Sequence, residues 1–77
     1  MQLQPYTRDY RPVKNPTYSY IAYEIQAKLI ALGFLDGKPD GIYGKGTAVS
    51  AAKWQQSQGY KADGVLTTEQ LHLLLDN

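Results

Sequence analysis

The 77-residue sequence contains no cysteine, so disulfides cannot support the fold and the redox compartment cannot be inferred. Its one histidine, His72, cannot supply the three protein ligands that a zinc site usually needs. The longest aliphatic run, Leu29–Leu32, is far shorter than the ~18 residues that suggest a membrane span. The formal net charge of +1 does not favour a nucleic-acid or membrane-surface partner. We therefore expect a small domain with no cofactor or metal, no nucleic-acid partner and no membrane insertion.

The first 19 residues differ from the rest of the chain. They contain Pro5, Pro12 and Pro16 with little aliphatic periodicity, and proline favours extended backbone. They also lack the apolar segment of a secretory signal peptide. We therefore expect synthesis in the cytoplasm, unless the protein is released by lysis or belongs to a larger chain. We predict an irregular N-terminal arm or linker over residues 1–19 and one folded domain over residues 20–77.

Helical spacing of apolar residues begins at Tyr20. Ile25, Leu29 and Leu32 form one stripe, and Gly33 is typical of the glycine that follows a helix. The helix start has three candidate caps in Asn15 (before Pro16), Thr17 and Ser19. The pattern predicts a first helix that ends at Gly33.

Two further helices are predicted. One runs from about Lys45 to Gln58, with Thr47, Ala51 and Trp54 on one face. The other begins at Thr67 and Gln70, which form a T-x-x-Q capping box, and presents Leu71, Leu74 and Leu75 on its apolar face. Helices of three or four turns are marginal in isolation, so the three must share one core.

A turn is repeated in the sequence, as KPDGIY at 38–43 and KADGVL at 61–66. In each copy the aspartate (Asp40 or Asp63) can accept a bond from the amide two residues on, and the glycine (Gly41 or Gly64) supplies positive φ. The aliphatic residue that follows is expected to point inward. The predicted core comprises Ile25, Leu29, Leu32, Ile42, Ala51, Trp54, Val65, Leu71 and Leu74.

These landmarks resemble a known family. The segments D-G-I-Y-G-x-x-T, A-x-x-W-Q and G-Y-x-x-D-G-V-L follow one another at fitting distances, with Gln26 and Gly33 before them. Over residues 22–75 the chain is similar to the peptidoglycan-binding domain that accompanies bacterial cell-wall hydrolases, spore cortex-lytic enzymes and phage endolysins. The resemblance implies an all-α three-helix bundle, non-catalytic, that docks an attached enzyme on the cell wall. Trp54 stands where the family usually has phenylalanine, and the N-terminal arm has no family counterpart.

Residues that could carry catalysis are lacking. The single His72 and the absence of cysteine leave no recognisable nucleophile–base set. The segment DGKPDG faintly resembles a calcium loop, but Lys38 stands where an EF-hand needs an oxygen ligand and Thr47 where it needs a bidentate acid. We therefore predict no enzyme activity in this chain.

The ligand site that the resemblance suggests lies at the first turn and comprises Asp40, Gly41, Tyr43, Gly44 and Thr47. Amides near a helix N-terminus bind carboxylates, such as those of a wall stem peptide, although the glycan could be the part recognised. The Tyr43 ring could lie against a ligand or fold back onto the core. The aspartates should mainly close their turns, and Gln26 and Gln55 should bridge backbone groups at helix junctions.

Three functions are compatible with the sequence. The first is a peptidoglycan-binding module acting at the bacterial cell wall or periplasm. The second is an adaptor in which Tyr6, Tyr10 and Tyr18 dock a phage or host protein. The third is a piece of a bacteriophage lytic protein. The cell-wall interpretation requires residues 36–46 to remain unpaired, beside an accessible hollow.

Overall fold

The computed structural model describes residues 10–76. It contains three helices, α1 (Tyr20–Ala31), α2 (Lys45–Ser57) and α3 (Thr68–Leu75). Helix α1 contacts both α2 and α3, so the three helices share one core. The predicted three-helix class is confirmed.

A small sheet adds to this bundle. Strand β1 (Thr17–Tyr18) pairs antiparallel with β2 (Ile42–Tyr43), with Thr17 opposite Tyr43. The amide of Ser19 extends the contact by donating to the Gly41 carbonyl at 3.1 Å. The expectation of an unpaired loop over residues 36–46 was therefore wrong for Ile42 and Tyr43, and the cell-wall interpretation must depend on other observations. The extended N-terminal segment supplies a partner strand that the helical pattern could not reveal.

The described part of the N-terminal segment belongs to the fold. Tyr10 and Val13 are buried in the hydrophobic core, and Val13 exchanges two backbone hydrogen bonds of 2.8 Å with Leu66. The Tyr10 hydroxyl donates to Asp76 Oδ1 at 2.8 Å, and its carbonyl accepts from the Thr68 hydroxyl. The prediction of a separate arm was wrong for residues 10–19, while residues 1–9, including Pro5 and Tyr6, lie outside the described range.

The helix ends follow local rules. Ser19 occupies the N-cap position of α1 in extended backbone, without a side-chain capping bond. Gly33 follows the helix with φ of 89°, a conformation that glycine adopts at little cost. At α3 the predicted capping box is confirmed, because Thr67 Oγ1 accepts from the Gln70 amide at 3.1 Å and Gln70 Oε1 accepts from the Thr67 amide at 3.2 Å.

The predicted core was mostly confirmed. Buried as expected are Ile25, Leu29, Ala51, Trp54, Leu71 and Leu74.

The exceptions have two physical causes. Leu32 is 49% exposed because it lies just beyond the last turn of α1. The prediction that the aliphatic residue of each turn points inward was wrong, since Ile42 is 44% exposed and Val65 is only half-buried. Successive side chains of extended backbone point to opposite sides, so the following residues, Tyr43 and Leu66, are the ones that enter the core.

Candidate functional site

The first Asp-Gly turn joins the α1–α2 loop to the start of α2. Asp40 Oδ1 accepts a hydrogen bond from the Ile42 amide at 2.9 Å, so the Asp40 side chain closes the turn. Gly41 has φ of 80°, where an L side chain would be strained. We call this turn, residues 38–44, the first corner.

The side-chain amide of Gln26 on α1 holds the first corner in place. Its Oε1 accepts from the amides of Asp40 and Gly41 at 2.8 and 2.9 Å. Its Nε2 donates to the Ile42 carbonyl at 2.8 Å and to Thr47 Oγ1 at 3.0 Å. Gln26 is buried, so these contacts replace the water that its amide would otherwise need.

The second Asp-Gly turn, residues 61–66, is built in the same way, and we call it the second corner. Asp63 Oδ1 accepts from the Val65 amide at 3.0 Å, and Gly64 has φ of 76°. Gln55 on α2 takes the place of Gln26, because its Oε1 accepts from the Gly64 amide and its Nε2 donates to the Val65 carbonyl. It also donates to Gln70 Oε1 at 2.9 Å, which connects the corner to the capping box of α3. The predicted bridging role of Gln26 and Gln55 is confirmed.

Hydrogen bonding sets the electrostatics of both corners. The bond from the Gln26 side chain, followed by that from the Ile42 amide, lowers the pKa of the Asp40 carboxyl. At the second corner the Val65 amide is the main cause that lowers the pKa of Asp63, and Gln55 adds to it. Both carboxylates are therefore charged at neutral pH.

Tyr43 connects the two corners through the core. Its side chain is fully buried and its hydroxyl donates to the Gly64 carbonyl at 2.7 Å. Burial raises the pKa of this phenol, and the negative charge of Asp63 raises it further. Of the two orientations that the sequence left open, the structure shows the ring folded onto the core. Tyr43 therefore cannot present its ring to a ligand in this conformation.

The other predicted ligand residues stay close together. Asp40 is exposed, Gly41 and Gly44 are half-buried, and Thr47 is buried with its hydroxyl bonded to Gln26. Asp40 Oδ1 accepts from Gln26 Nε2 and from the Ile42 amide, while the Asp40 amide donates to Gln26 Oε1. Contact of these four residues with a ligand stays a prediction.

Two surface concavities of about 320 Å³ each are lined by residues outside the first corner, so neither is the hollow that the sequence predicted at residues 36–46. One follows the outer face of α1 from Tyr20 and Tyr23 toward Leu75 at the end of α3. The other lies between the helices and includes Leu32, Trp54 and Leu73. Sequence reasoning missed the first concavity, although the spacing of Tyr20 and Tyr23 around the apolar stripe of α1 would have placed both rings on the outer side. Among residues 10–76, no group of three or more histidine or acidic side chains could hold a metal ion.

Comparison with known families agrees with this architecture. The sequence model of a protein family described as a putative peptidoglycan binding domain matches residues 22–74. This is more than half of the chain and includes both corners. The chain belongs to the peptidoglycan-binding domain family. Both corners, their glutamines and helix α2 lie in the matched region, which also includes nearly all of α1 and α3.

Among solved structures, the chain is similar to the SleB N-terminal domain. The TM-score is 0.82 at 24% sequence identity, and the match covers 91% of this chain and 96% of that domain. Residues 20–77 make up only about three quarters of the sequence, so the similarity must include part of residues 1–19. The family model begins at residue 22, so this segment has a structural counterpart in that domain but none in the matched family region.

No curated protein sequence matches this chain. Within residues 10–76, none of the helices has the length and apolar character needed to cross a bilayer.

Proposed function

We propose that this protein is a non-catalytic module that binds peptidoglycan and brings a lytic activity, attached or associated, to the bacterial cell wall or periplasm. The observation that carries the proposal is membership of the peptidoglycan-binding domain family across residues 22–74. The fold supports it, since Gln26 of α1 and Gln55 of α2 each hold one corner within that region. A bacteriophage or endolysin context, and a catalytic domain as partner, remain predictions of the resemblance.

The first corner is the part of the fold that we assign to ligand contact. Asp40 is exposed and charged there, and Gly41 lies beside it. Helix α2 begins after Gly44, which has no side chain to cap the first-turn amides. Uncapped amides at a helix start can donate to carboxylate or acetamido oxygens of the wall polymer.

A pull-down with purified insoluble peptidoglycan tests both parts of the proposal. We expect wild-type protein to sediment with the wall and Asp40→Asn to bind roughly three- to tenfold more weakly. The reason is that a hydrogen bond from the wall polymer to the Asp40 carboxylate would lose the assistance of its charge. Asparagine retains the Oδ1 that closes the turn, so the corner should persist. Asp63→Asn is the matched control, since it makes the same change at the second corner and should bind within about twofold of wild type.

The outcomes test peptidoglycan binding and ligand contact at the first corner separately. Wild-type protein that stays in the supernatant at every wall concentration would reject the function. Equal binding by Asp40→Asn and Asp63→Asn would retain the function but remove the first corner from the contact surface. Circular dichroism of each variant checks that it is folded.

The described residues do not support the adaptor alternative. Tyr10, one of its three proposed docking residues, is buried and packs against His72 with ring centroids 4.6 Å apart. Tyr18 is exposed, but it lies on β1 within the domain rather than on a separate arm.

A further inference from the structure

Two tyrosines at the start of α1 form an exposed aromatic pair. Tyr20 is 72% exposed and Tyr23 is 43% exposed. Their rings are nearly parallel, with an interplanar angle of 8° and centroids 5.8 Å apart. Neither ring contributes to the core, which receives Ala22 and Ile25 from the opposite side of the helix. Aromatic surface that is ordered by a neighbouring ring and left open to water is typical of a binding surface.

The pair stands at one end of a groove along α1. Ala27 and Ala31 continue the same face at helical spacing, and their small side chains leave room beside the helix. Leu75 at the end of α3 forms another part of the lining, and the volume of this open groove is about 320 Å³. Glu24 and Lys28 also line it, so its formal charges cancel. We call these seven residues the Tyr20–Tyr23 groove.

We propose that the Tyr20–Tyr23 groove binds the sugar rings of the glycan strand. This inference rests on the proposed function, which makes the wall polymer the partner. The face of a tyrosine ring carries partial negative charge, and it attracts the partially positive C–H groups on the flat face of a pyranose. A groove without net charge also suits the uncharged acetamido sugars of the glycan better than the carboxylates of a stem peptide.

The size and position of the groove agree with a glycan. A volume of about 320 Å³ is at the lower end of small-molecule sites, which suits a short stretch of glycan. The groove also begins beside the first corner, because Ser19, which directly precedes Tyr20, donates its amide to the Gly41 carbonyl. One extended polymer could therefore contact the corner and the tyrosines together.

A titration with the β-1,4-linked hexamer of N-acetylglucosamine tests this inference, monitored by the backbone amide resonances of the full chain. We expect the amides of Tyr20, Tyr23 and Ala27 to shift, and the double variant Tyr20→Ala/Tyr23→Ala to bind at least roughly tenfold more weakly. Tyr20→Phe/Tyr23→Phe keeps both ring faces and should stay within about threefold of wild type. Tyr18→Ala is the matched control, since Tyr18 is equally exposed but is not among the residues that line the groove.

The wall pull-down distinguishes failure of this inference from failure of the function. If wild-type protein binds the wall but the double alanine variant binds both wall and hexamer as tightly as Tyr18→Ala, the groove is excluded while the function stands. If wild-type protein binds the wall but not the hexamer, recognition of the glycan by this groove is rejected. A change of oligomeric state in the double alanine variant, measured by sedimentation, would instead assign the pair to a contact between copies. Failure of wild-type protein to bind the wall overturns function and inference together.

Discussion

The two corners use the same chemistry in different surroundings. In each, a glutamine from the preceding helix holds an Asp-Gly turn, but 14 residues separate Gln26 from Asp40 and only 8 separate Gln55 from Asp63. At the second corner Gly64 is buried and lies against Ala48 of α2. Gly41 at the first corner is only half-buried.

The helix that follows each corner differs as well. Helix α3 starts with a complete capping box, whereas α2 starts after Gly44 without a side-chain cap. Gln55 thus connects the second corner to the side-chain cap of the helix that follows it. The comparison indicates that one structural unit was used twice, followed by a capped helix at the second corner and by a helix without a side-chain cap at the first.

Removing the glutamine amides should produce the largest effect on stability. We expect Gln26→Met and Gln55→Met each to lower the free energy of unfolding by about 2–4 kcal/mol, because backbone amides and carbonyls at the corner lose their partner. Urea denaturation followed by circular dichroism measures the change. Gln56→Met, at an exposed position next to Gln55, should stay within about 0.5 kcal/mol of wild type. A loss at only one corner would show that the two units are not equivalent.

Substitution of each turn glycine by alanine should reduce stability more at the second corner than at the first. A Cβ at Gly64 would lie 3.0 Å from the Ala48 carbonyl oxygen, whereas one at Gly41 would approach Ser19 O no closer than 3.6 Å. Both positions have positive φ, which costs an L residue about 1–2 kcal/mol. We therefore expect thermal denaturation to show a clearly larger loss for Gly64→Ala than for Gly41→Ala. Equal losses would mean that backbone strain alone decides both positions.

The smallest expected effect concerns acid stability. The hydrogen bonds at Asp40 and Asp63 lower the pKa of each carboxyl in the folded state below its unfolded value of about 3.9. Each carboxylate therefore stabilises the fold above about pH 4, and this contribution is lost as the pH falls through the folded-state pKa.

Substitution by asparagine removes the titration. The free energy of unfolding of Asp40→Asn and of Asp63→Asn, measured by denaturation between pH 2 and 7, should fall less steeply with acidification than that of wild type. An unchanged slope in both variants would contradict the role of the two carboxylates in closing the corners.

Local chemistry explains what could be predicted of the fold. Helical spacing, Gly33 and the Thr67–Gln70 capping box identified the helices, because each signal acts within one or two turns of the chain. The error at Ile42 and Val65 arose because the turns lead into extended backbone, where neighbouring residues face opposite sides. That extended conformation depends on contacts with Thr17–Tyr18 and Val13, which are distant in sequence.

The candidate site was less predictable for the same reason. Asp40 and its glycine were found from the repeated turn, but the burial of Tyr43 depends on the distant carbonyl of Gly64. The Tyr20–Tyr23 groove needs both the outer face of α1 and the end of α3, which only the packing of the two helices brings together.

The sequence by itself determined the three helices, the capping box of α3 and the two Asp-Gly turns, since the energies that select them come from residues a few positions apart. The tertiary structure alone decided that residues 10–19 join the core, that Tyr43 points inward and that α1 and α3 enclose a groove. Those outcomes depend on apolar burial and backbone pairing between distant segments, whose free energy is gained only after the chain has folded.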